Sequence, residues 1–444
     1  MATARRIPGP TSFPLMTLRR FRRDPIAMLR QLAADYGPIV QFRLPGSTLV
    51  LVNEPEHIHN ILVTDQRSFV KGRGLERAKR LLGEGLLTSE GDFHLRQRRM
   101  MQPSFHRQRV VEYGRVMAGI ADRLSARWKE GDVVDINEEA AAITLTVVGK
   151  TLFDADVEED RAGVGQALRE SMQLFSLLSL PGAQILEKLP LPAVKRFRNA
   201  RARLDSTIYR IIDEHRGKED RGDLLSMLLA ARDDDDDGAE MTDGQVRDEV
   251  MTLVLAGHET TATAIGWTLY QLAQHPDVEE KLTAELRTVL GGRQPVVDDL
   301  PSLRYVKNVV SESLRLYPPA WIVGRRALAD YPLADYVIQR GSIAVLAEVV
   351  THVDPRFWPD PMRFNPDRWT VEDPARPKFA YFPFGGGPRI CIGENFAWME
   401  LILILSTLLQ RWHFRLTPGQ IVETAPIITL RPKGPIKMEL TRRC

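Results

Sequence analysis

Cysteine is almost absent from this sequence. Of 444 residues only Cys391 and Cys444 carry a thiol, which excludes a disulfide framework and fits a reducing, cytoplasmic compartment. Long apolar runs are missing as well. The longest candidate, Ala397 to Leu409, is interrupted by Glu400, Ser406 and Thr407, short of the roughly 18 residues a membrane span needs. No transmembrane anchor is therefore expected. Nor is there an excess of one charge: 60 Lys plus Arg stand against 58 Asp plus Glu, a formal net of +2, which argues against nucleic acid as the main partner. The early segment is basic, with Arg5, Arg6, Arg19, Arg20, Arg22 and Arg23, but Pro8, Pro10 and Pro14 are expected to break any presequence helix. No signal-peptide core follows, so a solvated basic start is the expectation.

What is present is an ordinary globular composition, 43% hydrophobic and 27% charged, able to bury a core that holds a sizeable cofactor. Length alone suggests more than one domain. Ile39 to Leu44 and Thr48 to Val52 flank Pro45-Gly46 and read as a hairpin. From Glu56 to about Asp330 the pattern is mostly helical, for example at Leu224, Leu225, Leu228 and Leu229. Asp233 to Asp237 read as a solvated loop. Thr242 and Asp243 then cap a helix running to Gln274, where His275-Pro276 stops it. Such a helix passes through the core, yet it carries Gly257, His258, Glu259, Thr260 and Thr261 midway, groups that cost stability unless they have partners or work. Short strands are expected at Tyr336 to Ile338 and Ile343 to Val350.

The strongest signal is Phe384-Gly385-Gly386-Gly387-Pro388-Arg389-Ile390-Cys391-Ile392-Gly393, leading into an apolar helix from about Glu394. A thiolate is stabilised by backbone N–H groups and a helix N-terminus. Glycines let the backbone pass close under a flat macrocycle, and Arg389 can donate charge-assisted hydrogen bonds to a propionate. A lone cysteine is more often a small buried hydrophobe; the surrounding residue types reverse that reading here. This segment resembles the signature of the cytochromes P450, Phe-x-x-Gly-x-Arg-x-Cys-x-Gly, at every fixed position. The resemblance implies haem b with Cys391 as axial thiolate, Phe384 packed on the sulfur, Arg389 on a propionate and Gly393 closing the motif.

Other segments join it. Glu312 and Arg315, three apart on a helix, resemble the family's Glu-x-x-Arg element, and Arg368 in Asn365-Pro366-Asp367-Arg368-Trp369 its later arginine; the resemblance makes these three a buried structural triad. By itself an i,i+3 pair is common and minor. Ala256-Gly257-His258-Glu259-Thr260-Thr261 resembles the oxygen-activation motif: a small pair frees space for a diatomic ligand, and Glu259 beside Thr260 can relay protons. The plain alternative is a helix-packing glycine and a threonine bonded back to its own helix. His94 and Arg98 share a helix face and could reach one propionate, although the family more often has Trp at the place of His94. Arg325, rather than Arg326, is the further propionate contact expected from the resemblance. Val353 stands where an arginine is frequent.

The resemblance covers nearly the whole chain and implies a mainly α fold with small β-sheets (α+β). It makes 1–444 one catalytic domain with a β-rich N-terminal lobe, about 36–65 plus 330–350. It implies a monooxygenase that uses O2 to hydroxylate, or add oxygen to a double bond of, a lipophilic small molecule, in a pocket lined by Leu87, Ala256, Ile322, Val323, Ile427 and Ile428. Electrons are expected from a separate ferredoxin or flavodoxin with its NAD(P)H reductase, delivered to a monomer. The competing functions are a peroxide-driven peroxygenase and a haem-binding sensor without turnover.

Overall fold

The computed structural model describes residues 5–105, 107–154, 165–168, 170–171, 191–216, 223–231 and 240–443. The acidic run Asp233 to Asp237 and Cys444 lie outside them. Helices dominate and the strands form small sheets, the class expected from the sequence. The chain divides into two compact units: Met1–Arg77, Leu314–Asn365 and Val371–Cys391 in the first, Ala78–Ser313, Pro366–Thr370 and Ile392–Cys444 in the second.

The first unit begins with helix α1 (Pro14–Arg23), which corrects the expectation that prolines forbid a helix there. Pro14 occupies the first helical position, where its missing N–H is no loss and its fixed φ suits helix entry. The hairpin of β1 (Ile39–Leu44) and β2 (Ser47–Val52) pairs Leu44 with Ser47 across Pro45-Gly46. With β3 (Phe69–Lys71), β4 (Val323–Ala327) and β5 (Ile343–Leu346) it forms one sheet, in the order β1-β2-β5-β4-β3. The strand expected to reach Val350 ends at Leu346, and Glu348–Thr351 form a helical turn instead. A long-range contact overrules the β-branched residues there: the Thr351 hydroxyl donates to Asn53 Oδ1 at 2.5 Å, while its N–H closes the local turn on the Ala347 carbonyl.

Val50, Val52, Ala344 and Leu346 of the sheet share an apolar core with Ile58, Ile61, Leu62, Phe379 and Phe382. Burying each large side chain contributes about 1.5–3 kcal/mol. Two of them, Phe379 and Phe382, belong to the segment that leads to Cys391. Their burial fixes where the thiol-bearing loop starts.

The second unit contains α2 (Gly91–Met101), α3 (Ile136–Phe153), α4 (Asp243–Gln274), α5 (Arg304–Leu316, whose residues from Leu314 belong to the first unit) and α6 (Glu394–Arg411). Helix α4 has 32 residues and so spans about 48 Å. Its start is the expected one: Gln245 N–H donates to Thr242 Oγ1, and Thr242 N–H donates to Gln245 Oε1. His275 caps the other end and Pro276 opens the next helix. From Thr261 to Leu269 every residue of α4 is buried, whereas Ala256, Gly257, Glu259 and Thr260 are only half-buried. The mid-helix polar stretch thus marks the one side of that region left open.

Candidate functional site

In the first unit a series of hydrogen bonds runs from Arg315 to Cys391. The fully buried Arg315 donates to the carbonyls of His352 (2.9 Å), Pro361 (2.6 Å) and Arg363 (3.2 Å), and its guanidinium stacks 5.1 Å over the Trp358 ring. His352 Nε2 accepts the Phe382 N–H at 2.9 Å. The Phe382 carbonyl accepts from Gly385 N–H, and the Phe384 carbonyl accepts from Cys391 N–H at 3.0 Å. Burial first, and the Arg315 guanidinium second, push the His352 imidazole down to about 3. A neutral imidazole therefore holds the loop across the physiological range.

The loop has its own backbone demands. Gly385 and Gly387 sit at φ +76° and +68°, in the left-handed region. A Cβ on Gly387 would lie 2.1 Å from the Leu62 carbonyl oxygen, and one on Gly386 2.6 Å from the Phe379 ring. The glycines are needed for packing within their own unit, a reason the sequence did not disclose. Gly387–Arg389 form a single turn, and α6 begins only at Glu394, three residues beyond Cys391, with Gly393 as its N-cap. Cys391 is thus exposed on the loop rather than inside the helix. Phe384, seven residues before Cys391, and Arg389, two before it, are half-buried.

On β4 the two candidate arginines part. Arg326 forms an ion pair with Glu76, while Arg325 is buried on the opposite side of the strand. The charge of Arg325 also acts on Glu348, a fully buried carboxyl that burial pushes well above its usual range. Val353, where an arginine is frequent, is buried. Three positions on, Arg356 binds Asp354, Glu54 and the Asn53 carbonyl. Ile322 and Val323 are half-buried at the start of β4.

In the second unit, Thr260 Oγ1 donates to the Ala256 carbonyl at 2.6 Å. Glu259 is held from outside the helix: Thr429 Oγ1 donates to its Oε1 at 2.9 Å, and Arg431 Nη1 lies 4.0 Å from the same oxygen. Gly257 lets α4 approach α3, since a Cβ there would come within 3.0 Å of Val148. The buried His258 bonds Thr144 Oγ1 through Nδ1 at 2.9 Å. Behind this stretch Glu400 of α6 is fully buried, and burial, opposed by the Thr261 hydroxyl, pushes its carboxyl up to about 8.

On α2, His94 is buried and Arg98 half-buried. His94 Nδ1 meets the Leu86 carbonyl at 3.1 Å. A carbonyl only accepts, so Nδ1 carries a proton and Nε2 donates only in the imidazolium form. Arg368 Nε donates to Glu312 Oε1 at 2.9 Å, and Trp369 Nε1 to Oε2 at 2.9 Å, with Glu312 fully buried. Leu87, Ile427 and Ile428 are exposed apolar side chains. Sequence reasoning missed His352, Trp358, Trp369, Thr429 and Arg431. For Trp369 a cue existed, an aromatic N–H donor directly beside Arg368.

The cytochrome P450 family profile matches residues 7–440. The chain belongs to the cytochrome P450 family. Among its relatives are cyclooctatin synthase of Streptomyces melanosporofaciens, 38% identical over 94% of this chain and 91% of that one, and cyclooctat-9-en-7-ol 5-monooxygenase of the same organism, 36% identical over 93% and 90%. Pentalenene oxygenase of Streptomyces avermitilis is 35% identical over 95% and 94%. The solved haem domain of cytochrome P450DA matches with a TM-score of 0.90 at 27% identity, covering 99% of this chain and 98% of that one. This P450 is an oxidoreductase that incorporates oxygen from O2 into lipophilic molecules, using haem with thiolate ligation and electrons from a redox partner. Taken unit by unit, the residues suit the group: in the first an exposed thiol on a loop closed by its own hydrogen bonds offers the sulfur, and in the second Ala256 and Gly257 of α4 are small and half-buried. No helix of the described residues is long and apolar enough to cross a membrane.

Proposed function

We propose that this P450 holds haem b through Cys391 and hydroxylates an apolar terpenoid hydrocarbon or its simple alcohol. The observation that carries the ligand assignment is the exposed Cys391 thiol at the end of a loop closed by its own backbone hydrogen bonds. The names of the relatives support the substrate class, two of them being built on an unsaturated hydrocarbon and an unsaturated alcohol. Leu87, Ile322, Val323, Ile427 and Ile428, apolar and at least partly exposed, are the residues we assign to substrate contact.

Bound haem supplies O2 binding and O–O cleavage, which thiolate ligation favours. The protein supplies position and protons. Arg98, Arg325 and Arg389 are assigned to the propionates, and His94 joins them only as imidazolium. Glu259 and Thr260 are assigned to proton delivery: the Thr260 hydroxyl leaves the Ala256 carbonyl to hand on its proton, and Glu259, steadied by Thr429 and Arg431, replaces it. Glu312, Arg315 and Arg368 hold the fold around the site. We assign the electrons to an acidic ferredoxin or flavodoxin with its NAD(P)H reductase, and the chain to the cytoplasm as a monomer.

The test is a difference-spectrum screen of cyclic terpenoid hydrocarbons, terpenoid alcohols and fatty acids against the ferric protein, followed by product analysis with NAD(P)H, reductase and ferredoxin. A Soret shift and hydroxylated product with the terpenoids are expected. Shifts confined to fatty acids would overturn the substrate class. Turnover driven by peroxide alone makes the chain a peroxygenase, and no product with any reductant makes it a sensor.

A further inference from the structure

The segment before β1 has an arrangement that oxygen chemistry does not use. Phe13, Leu15 and Met16 are 74%, 67% and 65% exposed, three adjoining large apolar side chains at the start of α1. At 3.6 residues per turn, Leu15, Met16, Arg19, Arg20, Arg22 and Arg23 fall on one side of the helix, opposite the buried Thr17 and half-buried Leu18 and Phe21. Residues 1–23 contain six arginines and no Asp or Glu. Among the described residues, none of the four arginines on α1 forms an ion pair.

This face is presented by a fixed support. The Pro8 carbonyl accepts from Gln41 N–H at 2.8 Å, Gly9 lies against the Gln41 backbone, and Ser12 bonds Thr17 through their hydroxyls. Helix α1 packs on β1. The apolar trio therefore projects from an anchored element rather than a loose tail.

Exposed apolar clusters beside concentrated positive charge mark binding surfaces. We propose that the outer face of α1 docks this P450 onto an anionic phospholipid surface. Phe13, Leu15 and Met16 enter the boundary between headgroups and acyl chains, and Arg19, Arg20, Arg22 and Arg23, the next two turns along, form a collar at the phosphates. The positive end of the helix dipole points the same way as the apolar trio, toward the lipid. A nucleic acid or acidic protein would use the arginines but has no need of three exposed apolar tips set together at one end. Such docking gives a lipophilic substrate dissolved in a bilayer a short path to the protein, yet it stands independently of which substrate that is.

The test is co-sedimentation of the haem-loaded full chain with phosphatidylcholine vesicles, with and without phosphatidylglycerol. Binding to the anionic vesicles alone, weakened by salt, is expected. The triple variant Phe13→Ser, Leu15→Ser, Met16→Ser should lower the partition coefficient about tenfold or more. Arg19→Gln, Arg20→Gln, Arg22→Gln and Arg23→Gln together should lower it on the order of a thousandfold. An unchanged ferrous carbon monoxide spectrum shows that each variant is folded and loaded. No sedimentation with either vesicle overturns the proposal. Binding indifferent to the apolar substitutions also overturns it, leaving a purely electrostatic surface for an acidic protein.

Discussion

The loop that ends at Cys391 and the mid-section of α4 keep their shape by different means. In the loop the backbone bonds to itself, Gly386 and Gly387 fill positions where a Cβ would clash, and the buried, neutral His352 accepts the Phe382 N–H. In α4 the backbone is an unbroken helix, and the arrangement depends on side chains reaching in from elsewhere: Thr144 to His258, Thr429 and Arg431 to Glu259. Packed behind them, Glu400 of α6 is a fully buried acid. The difference teaches that the two regions tolerate change in opposite directions. A loop built from backbone geometry fails when a supporting side chain is lost, and fails toward low pH. A helix face built from side chains shifts with their charge, and weakens toward high pH.

The largest expected effect is on the loop. Cys391→Ser should abolish turnover and the thiolate signature of the ferrous carbon monoxide spectrum, and a retained signature would move the ligand elsewhere. Arg315→Ala comes next, because the buried His352 carbonyl loses its donor at about 1–3 kcal/mol, the partly buried carbonyls of Pro361 and Arg363 lose theirs at less, and the fully buried side chain leaves a cavity over Trp358. Urea denaturation should show a loss of several kcal/mol with the spectrum degraded in parallel.

The pH contrast can be tested with two single variants. The Glu400 carboxyl is raised in the fold, so the unfolded chain binds fewer protons between pH 4.5 and about 8 and stability falls as pH rises through that window. The limiting slope is about 1.4 kcal/mol per pH unit. Glu400→Gln should flatten it and be the more stable protein at pH 8. The sign reverses for His352, lowered from 6.5 to about 3: stability falls as pH drops through that range. His352→Phe should remove the acid-side slope while costing about 1–3 kcal/mol at neutral pH for the orphaned Phe382 N–H. Denaturation midpoints of each variant across pH check both; parallel slopes in variant and wild type would erase the contrast.

The smallest effect concerns electron delivery. Arg99 on α2 is exposed, and Arg99→Ala should slow stopped-flow reduction by an acidic ferredoxin a few-fold at low ionic strength and not at high. A rate independent of both salt and substitution removes α2 from partner docking.

Much of this was legible in the sequence where the signal is local. Thr242 with Gln245, the Pro45-Gly46 turn and the His275-Pro276 stop each act within a few residues, and the cysteine segment announces itself by its glycines. The strand end at Leu346 was not legible, because Val349 and Val350 favour strand and only the contacts of Thr351 with Asn53, 298 residues away, decide otherwise. Pro14 misled for the opposite reason, since a residue that ends helices also starts them. Thr429, the partner of Glu259, lies 170 residues from it, and no periodicity points to a partner at such a distance; Arg368 was expected near Glu312 only through the family resemblance.

The three-segment construction of the first unit has a consequence for how the protein is made. At roughly 5–20 residues per second of synthesis, the β1–β2 hairpin waits on the order of 15–60 seconds for β5 and the Asn53–Thr351 bond to emerge from the ribosome. During that interval β2 has an unpaired edge and Val50 and Val52 have only the early part of their apolar cover, Ile58, Ile61 and Leu62, without Ala344, Leu346, Phe379 and Phe382. Cys391 is the last residue of the unit, so the thiol reaches its place only once the scaffold that presents it is complete.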